Sequence, residues 1–291
     1  MYSADQLQMF LTAVETGSFS AAARKLGKVQ SAISTGIAAL EDDMGLQLFD
    51  RSTRKPGLTE DGRRVLEHAR TVLLQMDELE AAAAAVRRGE EALLRIAMDD
   101  SLFVPGFGAS CARFARRFPK TELEIVVMPC VEVAQALLDG KADLGLSYST
   151  LEMDFRLDLC FIGNLPFVAV AAAGHPLSER KTVYDTDIRT ARQLLLRGNR
   201  QQIFGHFPQF SAEVLWSGSF NALREMALAG LGWTYLPVHM AEDLIADGRL
   251  TRLNVAFDHK PWSAPAELSL PKNAAQGPAL SWLHEDLKQI L

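Results

Sequence analysis

Small hydrogen-bonding side chains are concentrated in one stretch near the N-terminus, at spacings of three and four residues. These residues are Gln30, Ser31, Ser34 and Thr35. On a helix this spacing gathers them on one face, opposite the apolar Ile33, Ile37 and Leu40. Hydroxyl and amide groups can pair with base edges, and short side chains let the helix backbone approach the major groove of DNA closely. The pattern favours a DNA-reading face, and the alternative is the hydrated surface of a small helical domain.

A face of this kind requires further helices to hold it, and the preceding residues supply two. The first is indicated by an apolar stripe at helical period, made of Leu7, Phe10, Leu11 and Val14. Ser18 or Ser20 is expected to cap the second helix, and Gly27 to end it with a tight turn. Both serines are also candidates for DNA contact. Two helices joined by a glycine turn, the second with a polar outer face, are typical of a helix-turn-helix.

Basic residues follow the third helix, which Gly45 is expected to end. Residues 50–59, with the sequence DRSTRKPGLT, are predicted to form a turn that carries Arg51, Arg54 and Lys55. We expect these three side chains to bind phosphates, so that the turn acts as a wing. The whole chain has a formal net charge of −6, but residues 18–59 hold six Lys and Arg against four Asp and Glu. This modest surplus implies that several copies of the domain act together on DNA.

A long helix is predicted to begin after Thr59, where Thr-Glu-Asp-Gly forms a capping pattern. Its apolar residues alternate four and three positions apart, in a seam of Val65, Ala69, Val72, Met76, Leu79, Ala83 and Val86. A heptad seam favours two such helices that pack together, and the alternative is an amphipathic helix lying on its own domain. We therefore assign residues 1–60 to the winged helix-turn-helix and residues 61–89 to a linker helix that dimerises.

From residue 90 onward short apolar strands alternate with helices, as in parallel sheets covered by helices on both faces. Two such series are present, and the last strand and helix are expected to return to the first. The predicted domain, residues 90–291, has two lobes: lobe I, about 90–162 and 266–291, and lobe II, about 163–265. In sheets of this kind small molecules bind at the carboxyl ends of strands, in the crevice between lobes.

The sequence lacks the patterns of enzyme, metal and membrane chemistry. It has no Gly-x-Ser-x-Gly elbow, no phosphate loop ending in Gly-Lys-Ser/Thr and no GxGxxG after a first strand. The six His and three Cys form no metal-type cluster, and no leader or spanning apolar run is visible. We expect no catalytic residue, no metal, no cofactor, no membrane partner and a cytoplasmic location. The missing leader argues against an exported solute-binding protein, and the acidic charge against a structural nucleoid protein.

The stretch Gly17–Gly62 closely resembles the DNA-binding segment of LysR-type transcriptional regulators. The matching positions run in one register: Gly17-Ser18-Phe19, Ala21-Ala22-Ala23, Leu26, Gln30-Ser31-Ala32, Ser34, Ile37, Leu40-Glu41, Gly45, Leu48-Phe49, Arg51 and Leu58-Thr59. The resemblance implies an α+β multi-domain protein: an all-α winged helix-turn-helix, a long linker helix and an α/β two-lobed effector domain like periplasmic binding proteins. The third helix departs from the family pattern, because Thr35, Gly36 and Ala38 stand where basic residues are usual.

The resemblance also implies partners. Such regulators are dimers of dimers that hold an inverted repeat in promoter DNA, contact RNA polymerase and bind a small-molecule effector between the lobes. The positions that line this cleft in the family correspond to Ser101, Leu102, Cys130, Tyr148, Asn199, Ser219 and Phe220. A helix start at Ser219 would suit a carboxylate, whereas Asp99 and Asp100 would favour an amine or a neutral ligand. The charge of the effector therefore stays open, as does a redox role for Cys130.

Overall fold

The computed structural model describes residues 2–50, 57–149, 154–198, 208–272 and 276–291. The chain divides into two units, Met1–Arg88 and Gly89–Leu291. Four of the residues assigned to sites from the sequence lie outside the described residues, namely Arg51, Arg54, Lys55 and Asn199. Their roles in DNA and effector binding stay predictions.

The described residues of the first unit form four helices and a pair of two-residue strands. In chain order the elements are α1 (Ala4–Thr16), α2 (Phe19–Leu26), α3 (Gln30–Met44), β1 (Phe49–Asp50), β2 (Gly57–Leu58) and α4 (Glu60–Arg87). Ser18 caps α2, because its hydroxyl accepts the Ala21 N–H at 3.2 Å, whereas Ser20 lies inside that helix. Thr59 caps α4 by accepting the Gly62 N–H at 2.9 Å, as its sequence pattern predicts.

The core of the first unit holds α3 against the other helices. Ile33, Ile37 and Leu40 are fully buried from α3, and Phe49 packs edge-on against Phe10 of α1, with ring centroids 5.7 Å apart. One buried acid fixes the end of α3 to the first strand. The carboxylate of Glu41 accepts the backbone N–H groups of Leu48 at 2.7 Å and Phe49 at 3.1 Å. The orientation of α3 is thus set by apolar packing along its length and by this hydrogen-bonded acid near its end.

Two glycines of the first unit lie where the chain passes very close to a neighbour. A Cβ on Gly36 would clash with the Met9 side chain, and a Cβ on Gly62 would clash with the Leu48 carbonyl oxygen. The cost of glycine inside α3, about 1 kcal/mol relative to alanine, therefore has a packing reason. It lets α3 lie directly against α1.

The second unit alternates strands and helices. Its elements are β3 (Leu93–Met98), a 3₁₀ turn (Asp100–Leu102), α5 (Pro105–Arg117), β4 (Glu122–Val127), α6 (Cys130–Leu138), β5 (Leu144–Tyr148), β6 (Leu157–Ala172), a second 3₁₀ turn (Pro176–Glu179), α7 (Asp185–Thr190), β7 (Gln193–Leu196), β8 (Val214–Ser217), α8 (Phe220–Leu228), β9 (Thr234–Pro237), α9 (Val238–Ala246), β10 (Leu250–Arg252), β11 (Trp262–Pro271) and α10 (Pro278–Leu287).

The sheets of the second unit are only partly parallel, so the prediction of parallel sheets is wrong for β6 and the strands that pair with it. Strand β3 pairs in parallel with β4 and β5, and β7 pairs in parallel with β8. The long strand β6 instead pairs antiparallel with β9, β10 and β11, and β11 pairs antiparallel with β5. The reason is that β6 and β11 run antiparallel to each other in the middle of the larger sheet, which also contains β3, β4, β5, β9 and β10, while β7 and β8 form a separate two-stranded sheet.

We divide the second unit into two lobes on either side of β6 and β11. Lobe I comprises β3, β4, β5, α5, α6 and α10, and lobe II comprises α7, β7, β8, α8, β9, α9 and β10, with β6 and β11 shared. Strands β6 and β11 change register between the pairs Ala266–Gly163 and Glu267–Phe161. The lobe boundaries at residues 162 and 265 stay a prediction.

We predict that Gly62→Ala lowers the free energy of unfolding of the first unit by about 2 kcal/mol. The added methyl group meets a backbone carbonyl, which cannot move away as a side chain can. Gly36→Ala is the matched comparison and should cost less than half as much, since the Met9 side chain can turn aside and alanine favours a helix. Helical circular dichroism during urea unfolding measures both. Equal losses for the two variants would contradict the packing argument.

Candidate nucleic-acid interface and inter-lobe site

The polar face of α3 is open to solvent. Gln30, Ser31 and Thr35 are exposed and Ser34 is half-buried. The residues from Gln30 to Leu40 include no charged side chain. Hydrogen bonding from this face therefore uses neutral amide and hydroxyl groups alone, which suits contact with base edges better than contact with phosphates.

Two lysines flank the glycine turn before α3, and each forms an ion pair with an acid of α1. Gly27 ends α2 in a left-handed conformation, with φ of 64°. Lys28 Nζ lies 3.0 Å from Asp5 Oδ2, and Lys25 Nζ lies 2.8 Å from Glu15 Oε2. Both pairs are at the surface, where such ion pairs contribute about 0–1 kcal/mol. A phosphate can therefore compete for these lysines at little cost.

The two serines predicted to contact DNA differ in availability. Ser20 is exposed on α2, whereas Ser18 is half-buried and its hydroxyl is occupied by the cap of α2. Thr16 Oγ1 also donates to the Ser18 carbonyl at 3.2 Å. The observed role of Ser18 is therefore structural, since its hydroxyl caps the second helix of the motif.

The predicted seam of α4 is divided between two environments. Ala69 is buried and Val65 partly buried in the core of the first unit, so the dimer-seam prediction is wrong for these two residues. The physical reason is that the N-terminal turns of α4 lie against α1. Further along the helix Ala83 is half-buried, and Val72, Met76, Leu79 and Val86 are exposed. Leu74, also exposed, lies off the seam and was not part of the prediction.

A buried polar cluster lies where β3 ends in lobe I. The Asp99 carboxylate accepts the Ser101 hydroxyl at 2.5 Å and the Cys130 backbone N–H at 3.1 Å. The Ser101 hydroxyl oxygen also lies 2.6 Å from the Tyr148 hydroxyl. Burial raises the pKa of Asp99 to about 6, and it raises the pKa of the Cys130 thiol and of the Tyr148 phenol well above their usual values. Cys130 is therefore a protonated thiol at neutral pH, the opposite of what a redox-reactive cysteine requires.

The neighbouring carboxylate, Asp100, reaches across to lobe II. It accepts the Ser219 hydroxyl at 2.5 Å and the backbone N–H groups of Phe220 and Asn221, each at 3.0 Å. The Asn221 side-chain amide donates a fourth hydrogen bond at 3.0 Å. Asp100 thus occupies the N-terminus of α8, a position that would also have suited a carboxylate ligand.

The described residues that were predicted to contact the effector are packed against each other. Leu102 and Phe220 belong to the apolar core, and the Tyr148 ring lies 6.5 Å from the Phe220 ring. Ser101, Cys130 and Tyr148 are buried in the polar cluster, and only Ser219 of the described candidates is half-exposed. None of the described candidates lines the open cavity nearby, so their assignment to effector binding stays a prediction. A Cβ on Gly198 would clash with Val131, so the lobes also meet closely there.

The sequence did not predict that Asp99, Asp100 and Asn221 make the hydrogen bonds described above. It placed the two acids next to the candidate site, but which helix each carboxylate faces depends on the 3₁₀ turn that follows β3. Asp99 faces the start of α6, and Asp100 faces the start of α8. An open cavity of about 470 Å³ lies beside Asp100 between the lobes, lined by Phe103, Asn221, His239 and Arg249 among others.

Comparison with known proteins accounts for both units. Residues 4–63 match the model of the bacterial regulatory helix-turn-helix protein, lysR family, and residues 87–291 match the LysR substrate binding domain. The chain belongs to the LysR family of transcriptional regulators. It is a DNA-binding transcription regulator whose C-terminal domain responds to a small-molecule effector. None of the helices in the described parts of this LysR-family chain is long and apolar enough to cross a membrane.

Individual relatives agree with this assignment. The chain is 33% identical over 274 residues to the HTH-type transcriptional regulator AceR of Acinetobacter baumannii, covering 91% of this chain and 92% of AceR. Its fold matches a full-length OxyR variant from Pseudomonas aeruginosa at 18% identity, with a TM-score of 0.54 over 99% of this chain and 100% of that one. It also matches full-length CbnR in complex with its target DNA at 22% identity, with a TM-score of 0.53 over 99% of this chain and 100% of CbnR. These relatives are regulators and not enzymes.

We predict that Asp100→Asn lowers the free energy of unfolding of the second unit by about 2 kcal/mol. The amide keeps one acceptor oxygen but places its own N–H donors against those of α8. Tryptophan fluorescence in urea measures the loss selectively, because all four tryptophans lie in this unit. Asp158→Asn, on an exposed part of β6, is the matched control and should change little. Unchanged stability in Asp100→Asn would show that the contact does not hold the lobes together.

Proposed function

We propose that this protein binds an inverted repeat in promoter DNA with α3 in the major groove. Gln30, Ser31, Ser34 and Thr35 read base edges, and Ser20 lies near the backbone. The observation that supports this most directly is the exposed, uncharged face of α3 on a helix whose opposite face is buried in the core. Phosphate binding is assigned to Arg51, Arg54 and Lys55 of the wing and to Lys28, which a weak surface pair holds beside the start of α3.

Dimerisation is assigned to the exposed part of the α4 seam. Val72, Met76, Leu79 and Val86 leave an apolar stripe in water, and a second copy of the same stripe would bury it. Two DNA-binding domains in one dimer match the two halves of an inverted repeat. We further propose that two dimers associate and that the assembly contacts RNA polymerase, in keeping with the family to which the chain belongs.

The effector is proposed to bind in the cavity beside Asp100. This cavity of about 470 Å³ has the size of a small-molecule site and combines apolar side chains, such as Phe103 and Leu228, with polar ones. His239 hydrogen-bonds to the Ser101 backbone carbonyl, and burial lowers its pKa, so it is uncharged at neutral pH. Because Asp100 both lines the cavity and joins the lobes, a ligand there would alter the contact between the two lobes.

We predict that the purified chain protects an inverted repeat upstream of its own gene from nuclease cleavage, with affinity that falls as salt rises. Thr35→Ala should reduce the preference for this site over random DNA by about tenfold. Thr71→Ala, an exposed threonine of α4, is the matched control and should keep the full preference. Equal binding of wild type to the upstream site and to random DNA would refute the proposed function.

We predict that Leu79→Asp splits the α4–α4 dimer and so lowers the mass of the assembly that the full chain forms, because it places a charge at an apolar contact between two α4 helices. The Leu79 side chain is 70% exposed, so the fold of one chain should tolerate the change. Leu74→Asp is the control, since Leu74 is 63% exposed on the same helix but lies off the seam. Light scattering after gel filtration measures both masses. An unchanged mass for Leu79→Asp would exclude the seam as the dimer contact.

A further inference from the structure

The residue immediately before α3 is an exposed valine. Val29 has an extended backbone, with φ of −83° and ψ of 150°, and it is 67% exposed. It is the N-cap residue of α3, yet its side chain makes no capping hydrogen bond. Gln30 and Ser31, the first residues of the DNA-reading face, follow it directly and are also exposed. The apolar side chain of Val29 thus lies at the N-terminal end of that face.

Val29 is unfavourable for the isolated domain in two ways. Ser, Thr, Asn or Asp at an N-cap accepts one of the unpaired N–H groups of the first turn, and valine cannot. Its side chain also stays largely in water, so it adds little to the core. By contrast α2 and α4 begin at Ser18 and Thr59, which both cap their helices. A residue that stabilises neither the helix nor the core has its best explanation in a contact outside the chain.

The chemistry of the major groove identifies that contact. Residues at the start of a recognition helix meet base edges, and thymine presents the one methyl group among the four bases there. From Gln30 to Leu40 the helix has no Arg or Lys that could bind guanine. We propose that Val29 is a specificity-determining residue that packs against the C5-methyl group of a thymine in each half-site. This inference rests on the proposed DNA binding through α3.

Substitution of deoxyuridine for thymidine tests the contact, because it removes only the C5-methyl group. Each thymine of the protected site is replaced singly, and binding of the full chain is measured by fluorescence anisotropy at fixed salt. Wild type should bind about fourfold more weakly (about 0.8 kcal/mol) when the contacted thymine is replaced. The loss should appear at symmetry-related positions of the two half-sites.

Two variants assign this loss to Val29. Val29→Ala and Val29→Ser should bind thymidine and deoxyuridine sites equally well at the positions where wild type discriminates. Val29→Ser should also raise the melting temperature, since serine can cap α3, so that lost discrimination cannot result from unfolding. Val127→Ala, an exposed valine of β4, is the matched control and should keep the fourfold ratio.

Each failure has a separate meaning. A wild-type chain that binds its site but tolerates deoxyuridine at every thymine refutes the contact and leaves DNA binding through α3 intact. Discrimination that survives in Val29→Ala assigns the methyl contact to another residue and also refutes the proposal. A wild-type chain with no preferred site refutes the proposed function itself, and the inference with it.

Discussion

Every helix begins with N–H groups that lack a partner within the helix, and burial makes an unpaired N–H costly. In the second unit carboxylates from one short segment satisfy three such helix starts. Asp99 accepts from α6 and Asp100 from α8, while Glu91 accepts the N–H groups of Ala279 and Leu280 in α10 at 3.0 and 3.1 Å. The helices α6 and α10 have no side-chain cap at their own N-cap residue. Strand β3 and its two flanks therefore tie three helices from both lobes to the centre of the sheet.

This arrangement gives the two adjacent acids, Asp99 and Asp100, different structural roles. Asp99 remains within lobe I, in the cluster with Ser101 and Tyr148, whereas Asp100 crosses to the start of α8 in lobe II. Negative charge is favourable at a helix N-terminus, so a buried carboxylate there is supported by several N–H groups and by the helix dipole. The closed lobes are held by the chain itself, so an effector in the proposed cavity would act on a contact that already exists.

The first unit solves a different problem, because it must hold one helix firmly while leaving a face of it free. Apolar packing of Ile33, Ile37 and Leu40, close approach at Gly36 and the buried Glu41 carboxylate fix α3 from behind. The outer face keeps short neutral groups. In the proposed DNA complex this arrangement separates phosphate binding by the basic residues of the flanking segments from base recognition by the hydrogen-bonding groups of α3.

The sequence alone determined the order of most elements and which residues form the exposed polar face of α3. Periodic apolar residues, glycines after helices and the caps Ser18 and Thr59 are local signals, and each acts within a few residues of the chain. Even so, Val65 and Ala69 were assigned to a dimer seam, since a heptad pattern does not reveal which part of a helix packs on its own domain.

Only the tertiary structure decided the direction of β6 and β11, the closure of the lobes and the partners of Asp99 and Asp100. Each of these depends on groups that are distant in sequence: Asp100 and Phe220 are 120 residues apart. No local pattern records which N–H group a carboxylate will meet, because that choice follows from the packing of the whole sheet and its helices.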